Sequence, residues 1–219
     1  MANSGARTMI RPYEPRDRDA VRRISYDTAD AGASGAGISS DREFIEDLLT
    51  AYYTDYEPES LFVLEADGKV VGYLEGCLDT RRQLRITMRR ILPRAAIRAL
   101  ARGAIFHADI WRLAGSAFRT ILAAGTHRGA DLDQYPAHLH VNILDGYRGR
   151  KAGNDLMERF FDRARAAGVH GVHLSVREDN APARRFFENA GFTAMSRQPT
   201  IATPRASGIL YSITYGKIL

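Results

Sequence analysis

The chain has 219 residues, of which 45% are hydrophobic and 26% are charged, and its formal net charge is +5. This length and composition favour a single domain over residues 1–219, with a sizeable core. The single cysteine, Cys77, excludes an intramolecular disulfide framework and is typical of a reducing, cytoplasmic environment. No apolar run reaches the roughly 18 residues of a membrane span, and the first residues lack the apolar core of a signal peptide.

The positive charge is concentrated in one segment. Residues 80–128 contain eleven arginines and one acidic residue, Asp109, so the rest of the chain is net negative. We treat residues 80–134 as a basic helical insert, in which Pro93 begins or kinks a second helix. Three interpretations stay open: a solvated face, a lid that shapes a tunnel, or a surface for an anionic partner such as a membrane or nucleic acid. The insert has few aromatic residues on which bases could stack, so we do not expect nucleic-acid binding to be its main function.

Before the insert, the pattern predicts two helices and three strands. The helices lie at residues 16–29 and 41–53, with Asp41 as a candidate N-cap of the second, and residues 30–40 form a Gly-, Ala- and Ser-rich loop between them. Strands are predicted at residues 8–13, 61–65 and 70–79. Asp67-Gly68, between the last two strands, is a strong hairpin-turn signal.

The stretch from Pro136 to Asp162, PAHLHVNILDGYRGRKAGNDLMERFFD, contains a strand, a basic turn and a helix. The strand alternates: apolar Leu139, Val141 and Ile143 point one way, and polar His138, His140 and Asn142 point the other. Apolar residues then recur at helical spacing from Leu156 onward.

The basic turn is a candidate anion site. A helix N-terminus has unpaired N–H groups and the positive end of the helix dipole, and glycines let the backbone approach an anion closely. Arg148, Arg150 and Lys151 add positive charge. The turn therefore predicts a phosphate or pyrophosphate site for a nucleotide-like cofactor. The alternative is a plain strand-turn-helix unit with solvated basic side chains.

The C-terminal part predicts three more strands and one helix. A strand at residues 172–177 is followed by a helix at 180–189, which Gly191 ends, and by strands at 192–195 and 209–215. If the last strand were exposed, it could pair across a homodimer.

Two motifs in this order resemble the GNAT acetyltransferase superfamily. One is the Arg-x-x-Gly-x-Gly/Ala turn after a strand, here Arg148 to Gly153; the other is Asn-x-x-Ala-(x)3-Tyr-(x)3-Gly-Phe, here Asn180 to Phe192. More narrowly, FVLEADGKVVGYLEGCLDT and YPAHLHVNIL resemble bacterial relatives of the acetyltransferase-like C-terminal domain of O-GlcNAcase. The resemblance implies an α/β (α+β) GNAT fold: a mixed, mostly antiparallel central sheet with helices on both faces and a helical insert.

The resemblance also implies acetyl-CoA as a co-substrate, bound where the sheet splays open. Backbone groups of Val141 and Ile143 would bind the pantetheine arm, N–H groups of Gly149 to Asn154 the pyrophosphate, and Phe187 would lie near the thioester sulfur. The implied cofactor-binding set is Val141, Asn142, Ile143, Arg148, Gly149, Arg150, Lys151, Ala152, Gly153, Asn154, Asn180 and Phe187.

Two residues depart from the family pattern. Lys151 stands where the family usually has a glycine, so its side chain must point away from the phosphates or pair with them. Phe187 replaces a tyrosine that in many relatives protonates the departing thiolate. We expect binding to survive the first change. The loss of the tyrosine proton donor at Phe187 should have a small effect on catalysis, because a thiolate is a stable leaving group near neutral pH.

Four residues are candidates for catalysis: His138, His140, Asp79 and Tyr135. Histidine suits base catalysis near pH 7. Both histidines could equally be core residues bonded to backbone, and Asp79 could simply end its strand. A metal held by His138 and His140 is not expected, because no third ligand is indicated nearby.

The sequence thus predicts an N-acetyltransferase in which a primary amine attacks acetyl-CoA directly. The alternative is a catalytically silent acyl-CoA-binding or interaction module with the same fold. The amine, a small molecule or a protein, is not identified by any of these residues.

Overall fold

The computed structural model describes residues 8–29, 41–103, 111–112, 115, 129–149, 151–200 and 210–219. Seven strands form one sheet in the order β1-β2-β3-β4-β5-β7-β6. The strands are β1 Thr8–Pro12, β2 Leu61–Ala66, β3 Lys69–Cys77, β4 Ala137–Ile143, β5 Gly171–Arg177, β6 Thr193–Thr200 and β7 Leu210–Ile218. The helices are α1 Arg18–Thr28, α2 Arg42–Asp55, α3 Thr80–Ile86, α4 Leu92–Ala101, α5 Ala152–Ala166 and α6 Ala181–Asn189. The predicted loop at residues 30–40 lies outside the described part of the chain.

The local signals before the insert are confirmed. The Asp41 side chain accepts a hydrogen bond from the Phe44 N–H and caps α2. Asp67 and Gly68 both have positive φ, +48° and +74°, which is the geometry of a two-residue hairpin turn with the twist that β2 and β3 require. The mixed, mostly antiparallel sheet is confirmed as well, because only β4 and β5 pair in parallel.

Helices cover both faces of the sheet. The apolar stripe of α5, which includes Leu156, Phe160 and Phe161, is fully buried against one face. On the other face, α1 and α2 bury Val21, Tyr52 and other side chains against β2 and β3. The burial of these two apolar layers holds β3 and β4 rigidly in the middle of the sheet.

The parallel pair β4 and β5 is short. β4 pairs with β3 along its whole length, from Gly72↔Ile143 to Cys77↔His138. It pairs with β5 at only two positions, Ala137↔Val172 and His138↔His173. Beyond His138 the two strands diverge, so the sheet is open beside the second half of β4.

The insert begins as predicted. α3 is followed by a π-helical turn, Thr87–Ile91, and Pro93 lies in the first turn of α4. Arg94 donates to the Tyr56 hydroxyl, and Arg98 and Arg102 form ion pairs with acidic residues at the N-terminal half of α2. Part of the positive charge of the insert therefore holds α4 on α2. Residues 104–110 and most of 113–128 lie outside the described part.

The last strand is not an exposed edge, so the condition for pairing across a homodimer through it is not met. β7 lies between β5 and β6 and pairs with both, because the chain folds back so that β6 takes the outer position. The edges of the sheet are β1 and β6. Among the described residues, no helix combines the length and the hydropathy needed to cross a membrane.

Gly76 tests the packing of α5 on the sheet. A Cβ at Gly76 would lie 2.2 Å from the buried Phe160 ring. Because Phe160 is completely buried, we expect Gly76→Ala to lower the free energy of unfolding by about 1–3 kcal/mol in a urea titration.

The matched control is Gly129→Ala, where the nearest atom to a new Cβ is 3.5 Å away, and it should be nearly neutral. A stability for Gly76→Ala equal to that of wild type would contradict this packing.

Candidate active site

The gap beside β4 opens into a cleft of about 600 Å³, which we call the basic cleft. Ten of the twelve predicted cofactor residues line it: Val141, Asn142, Ile143, Arg148, Gly149, Lys151, Gly153, Asn154, Asn180 and Phe187. Ala152 is buried beneath the first turn of α5, and Arg150 lies outside the described residues. The basic turn, the diverged edge of β4 and the start of α6 thus enclose one space.

The turn before α5 presents free backbone donors to this cleft. The first helical backbone bond of α5 runs from the Asp155 N–H to the Lys151 carbonyl, at 3.0 Å. The N–H groups of Ala152, Gly153 and Asn154 precede it and have no partner within the helix. A Cβ at Gly153 would lie 2.8 Å from the Phe186 ring, so a glycine is needed here for close packing against α6.

Lys151 has left-handed backbone geometry, with φ +61°. Most residues other than glycine adopt this conformation at a cost of about 1–2 kcal/mol. The family's glycine at this position therefore has a conformational reason that sequence spacing alone does not reveal. The exposed Lys151 side chain lines the basic cleft and adds a cation to the helix N-terminus.

The backbone of β4 is directed into the gap. The Leu144 N–H donates to the Val71 carbonyl of β3, at 2.9 Å. Because N–H and C=O groups alternate in direction along a strand, those of Val141 and Ile143 point toward β5, from which β4 has diverged. The Arg148 guanidinium donates to the Ile143 carbonyl, at 2.8 Å, and fixes the start of the basic turn.

The start of α6 forms the opposite wall. The Asn180 side chain accepts a hydrogen bond from the Ala183 N–H and caps this helix. Phe187, two turns after Asn180, contacts Phe186 and Phe192 edge-on and is 8% exposed. It offers an apolar contact and no proton.

A second cleft of about 380 Å³, which we call the polar cleft, lies on the α1 and α2 side of the same strands. The side chains that sequence analysis missed here are Ser25, Thr28, Tyr53, Glu75 and Gln83. The two clefts meet, since five residues line both: Val141, Asn142, Asn180, Ala183 and Phe187. A molecule in one cleft can therefore touch a molecule in the other.

His138 is fixed by hydrogen bonds. The Thr80 hydroxyl lies 2.8 Å from the Pro136 carbonyl, to which it donates, and 2.7 Å from His138 Nδ1. Nδ1 must then carry the proton, which leaves Nε2 to accept from the Tyr53 hydroxyl at 2.8 Å. Burial lowers the pKa of His138 well below its usual value, and nearby His140 and His173 add to this effect. The imidazole is neutral, and its two ring nitrogens are bonded to side-chain hydroxyls rather than to backbone.

His140, two residues later, is exposed to the polar cleft. The surrounding protein lowers its pKa to about 4, first through burial and then through His173. Water in the open cleft solvates an imidazolium and opposes this lowering, and either way the ring is neutral at pH 7. No described residue forms a hydrogen bond with it.

The other two catalytic candidates lie outside both clefts. The Asp79 side chain accepts from the Arg82 N–H and caps α3. The Tyr135 carbonyl accepts from His173 Nδ1 at 2.9 Å, and its ring packs where a Cβ on Gly216 would be. The contacts of Asp79 and Tyr135 are therefore with the surrounding fold and not with either cleft.

The neutral state of His138 predicts how stability depends on pH. In the unfolded chain this imidazole takes up a proton near pH 6.5, whereas burial lowers its pKa in the folded protein. The stability that it contributes is present above pH 6.5 and is lost as the pH falls, by up to about 1.4 kcal/mol per pH unit.

We expect wild type to lose more free energy of unfolding between pH 7 and pH 5.5 than His138→Gln, which cannot titrate. Urea titrations at both pH values measure this difference, and equal losses in the two proteins would contradict the assignment.

Solved structures with the same fold include three informative neighbours. SsHAT is 28% identical, with a TM-score of 0.70, and the match covers 96% of this chain and 98% of that one. yncA from Salmonella typhimurium, described with its cofactor acetyl-CoA, is 19% identical, with a TM-score of 0.59 and coverages of 97% and 94%. Ribosomal-protein-alanine N-acetyltransferase from Brucella melitensis is 17% identical, with a TM-score of 0.56 and coverages of 96% and 99%.

The family model described as acetyltransferase (GNAT) family matches residues 34–192. This range contains the diverging strands, the basic turn and the basic cleft, and all of the polar cleft except Ser25, Thr28 and Ala29. By that match over most of its length, the chain belongs to the acetyltransferase (GNAT) family.

Proposed function

We propose that this protein is an N-acetyltransferase that moves the acetyl group of acetyl-CoA to a primary amine by direct attack. GNAT enzymes use acetyl-CoA as their co-substrate. The observation that carries the proposal is the meeting of the two clefts at the diverged edge of β4. One cleft then holds the acetyl donor and the other the acceptor, as direct transfer requires.

The basic cleft suits a pantetheine chain that ends in a pyrophosphate. The free N–H groups of Val141 and Ile143 and the free C=O group of Val141 would bind the amide-rich arm in the manner of an added strand. The pyrophosphate would lie at the N-terminus of α5, where the N–H groups of Gly153 and Asn154 and the Lys151 side chain converge. The thioester would then reach the junction of the two clefts, beside Phe187.

The polar cleft suits an amine. Its nitrogen lone pair would attack the thioester carbon, the new C–N bond would form as the C–S bond breaks, and the thiolate would leave on CoA. His140 is the candidate base for the nitrogen's proton, because its neutral ring is exposed in the polar cleft and has no hydrogen-bond partner among the described residues. Phe187 cannot protonate the thiolate, which leaves unassisted or takes its proton from water.

The narrower relation to bacterial relatives of the O-GlcNAcase C-terminal domain is also proposed. It is supported by two segments that flank the insert. Residues 62–80 form most of β2 and all of β3, and residues 135–144 contain β4. Gln83 of the insert lines the polar cleft, which favours the second interpretation of the insert, a role in shaping the acceptor site.

Lys151 tests the cofactor site. We expect Lys151→Gln to raise the Kd for acetyl-CoA about tenfold or more, because a charge-assisted contact with phosphate is lost. The difference should shrink as salt is raised. Isothermal titration calorimetry measures both effects.

Lys69→Gln is the matched control, since Lys69 is an exposed lysine at the first position of β3. An unchanged Kd in Lys151→Gln would mean that the side chain points away from the phosphates.

His140 tests turnover. CoA release from acetyl-CoA would be followed with a thiol reagent in the presence of a polyamine, an aminoglycoside, an amino sugar and a lysine peptide. With the amine that supports the fastest release, His140→Gln should lower kcat by about 10²–10⁴.

His170→Gln is the control, because His170 is exposed and lies outside both clefts. Acetyl-CoA binding without CoA release for any amine would favour the alternative, a silent acyl-CoA-binding module.

A further inference from the structure

Two titratable residues are neighbours on adjacent strands that line the polar cleft, and no hydrogen bond joins their side chains in the structure. Glu75 of β3 is directly opposite His140 of β4 in the antiparallel register. Tyr73 and Cys77 flank Glu75 on the same face of the sheet, which is the face that α1 and α2 cover. Side chains at directly opposed positions have Cβ atoms about 4.5–5.5 Å apart, so their polar ends are within reach of each other. Both residues line the cleft.

The Glu75 carboxyl is buried and incompletely bonded. The residue is 3% exposed, and its Oε2 atom has no hydrogen-bond partner among the described residues. Glu57, a comparably buried glutamate, behaves differently. Its two oxygens accept hydrogen bonds from the Tyr52 hydroxyl, the Ser60 hydroxyl and the Leu78 N–H. An unsatisfied buried carboxyl costs stability, so its presence calls for a role other than folding.

We propose that Glu75 is a positioning residue that acts through His140, so that the two side chains form one acid–base pair that takes up the proton of the acceptor amine. This inference rests on the proposed function. As the C–N bond forms and the C–S bond breaks, the nitrogen gives its proton to His140. At a pH above the midpoint of the pair, where Glu75 is ionised, the ring passes its other proton to the Glu75 carboxylate, so His140 is neutral again. The carboxyl returns the proton to water in the cleft before the next turnover.

Pairing with Glu75 would compensate for the low basicity of His140. The surrounding protein lowers its pKa, so the ring alone is a weak base near pH 7. Burial also raises the pKa of Glu75 well above its usual value, so this carboxylate holds a proton more strongly than an exposed one would. A carboxylate beside the ring offsets the imidazolium charge, and the proton then moves to the group with the greater affinity for it.

Other groups that face the pair do not take over this role. Burial raises the pKa of the neighbouring phenols and thiol, those of Tyr53, Tyr73 and Cys77, so they stay neutral near pH 7. Burial lowers the pKa of the neighbouring imidazoles, those of His138 and His173, so they are neutral as well. The residues of α1 and α3 that line the cleft, such as Ser25, Thr28 and Gln83, carry no charge. The remaining charged side chain among the described lining residues, Arg177, pairs with Asp179.

The test on the protein alone is a pH titration by NMR, with ¹³C-labelled glutamate carboxyls and ¹⁵N-labelled histidine rings. We expect the Glu75 carboxyl and the His140 ring nitrogens to report one shared midpoint, well above the usual value for a glutamate. In Glu75→Gln that shared step should disappear from the His140 signals. A Glu75 carboxyl that titrates independently of His140, or that stays protonated up to pH 9, would overturn the pair.

The kinetic test uses acetyl-CoA with benzylamine as the acceptor probe. Glu75→Gln should lower kcat about a hundredfold or more, leave KM for acetyl-CoA unchanged and move the pH at which kcat rises. Glu57→Gln, the matched control, should lose stability and keep the wild-type pH profile.

The two proposals fail in different ways. A shared titration without CoA release for any amine would refute turnover and leave the pair in place. CoA release with an unchanged rate and pH profile in Glu75→Gln would refute the pair and leave turnover in place.

Discussion

The divergence of β4 from β5 is the constraint on which the site depends. A buried strand normally has its backbone groups paired on both sides. Here β4 is bonded to β3 throughout and to β5 at only two positions, so one edge of a central strand is left for a ligand. The apolar layers beneath α5 and beneath α1 and α2 keep this edge from closing, because they fix β3 and β4 from both faces. The basic turn follows directly at the open end and supplies the anion site that we propose.

The polar side chains of the same strand lie in two different environments. His138 lies where β4 and β5 still pair, and both of its ring nitrogens are bonded. His140 lies past the point of divergence and faces an open cleft. Two residues of the same type on the same face of one strand thus have different surroundings because the neighbouring strand ends its pairing between them. Glu75, opposite His140, extends the proposed catalytic region onto β3.

Local signals could be predicted from the sequence, and long-range arrangements could not. The strand, basic turn and helix around Gly149 were predictable because periodicity and glycine position act within a few residues. The positive φ of Lys151 was not predictable, since the residue type argues against it. Glu75 was missed because only the pairing of β3 with β4 places it opposite His140, which is 65 residues later in the chain. A lone acidic residue among apolar strand residues, as in VVGYLEGC, was the signal that could have identified it.

The central claim is that acetyl-CoA occupies the gap beside β4, and amide hydrogen exchange tests it most directly. Exchange would be measured residue by residue with and without saturating acetyl-CoA. Our account predicts new protection at the N–H groups of Val141, Ile143, Gly153 and Asn154, because these donors point into the basic cleft, and little change along β1 and β6. Protection confined to other surfaces, with these four amides unchanged, would contradict it.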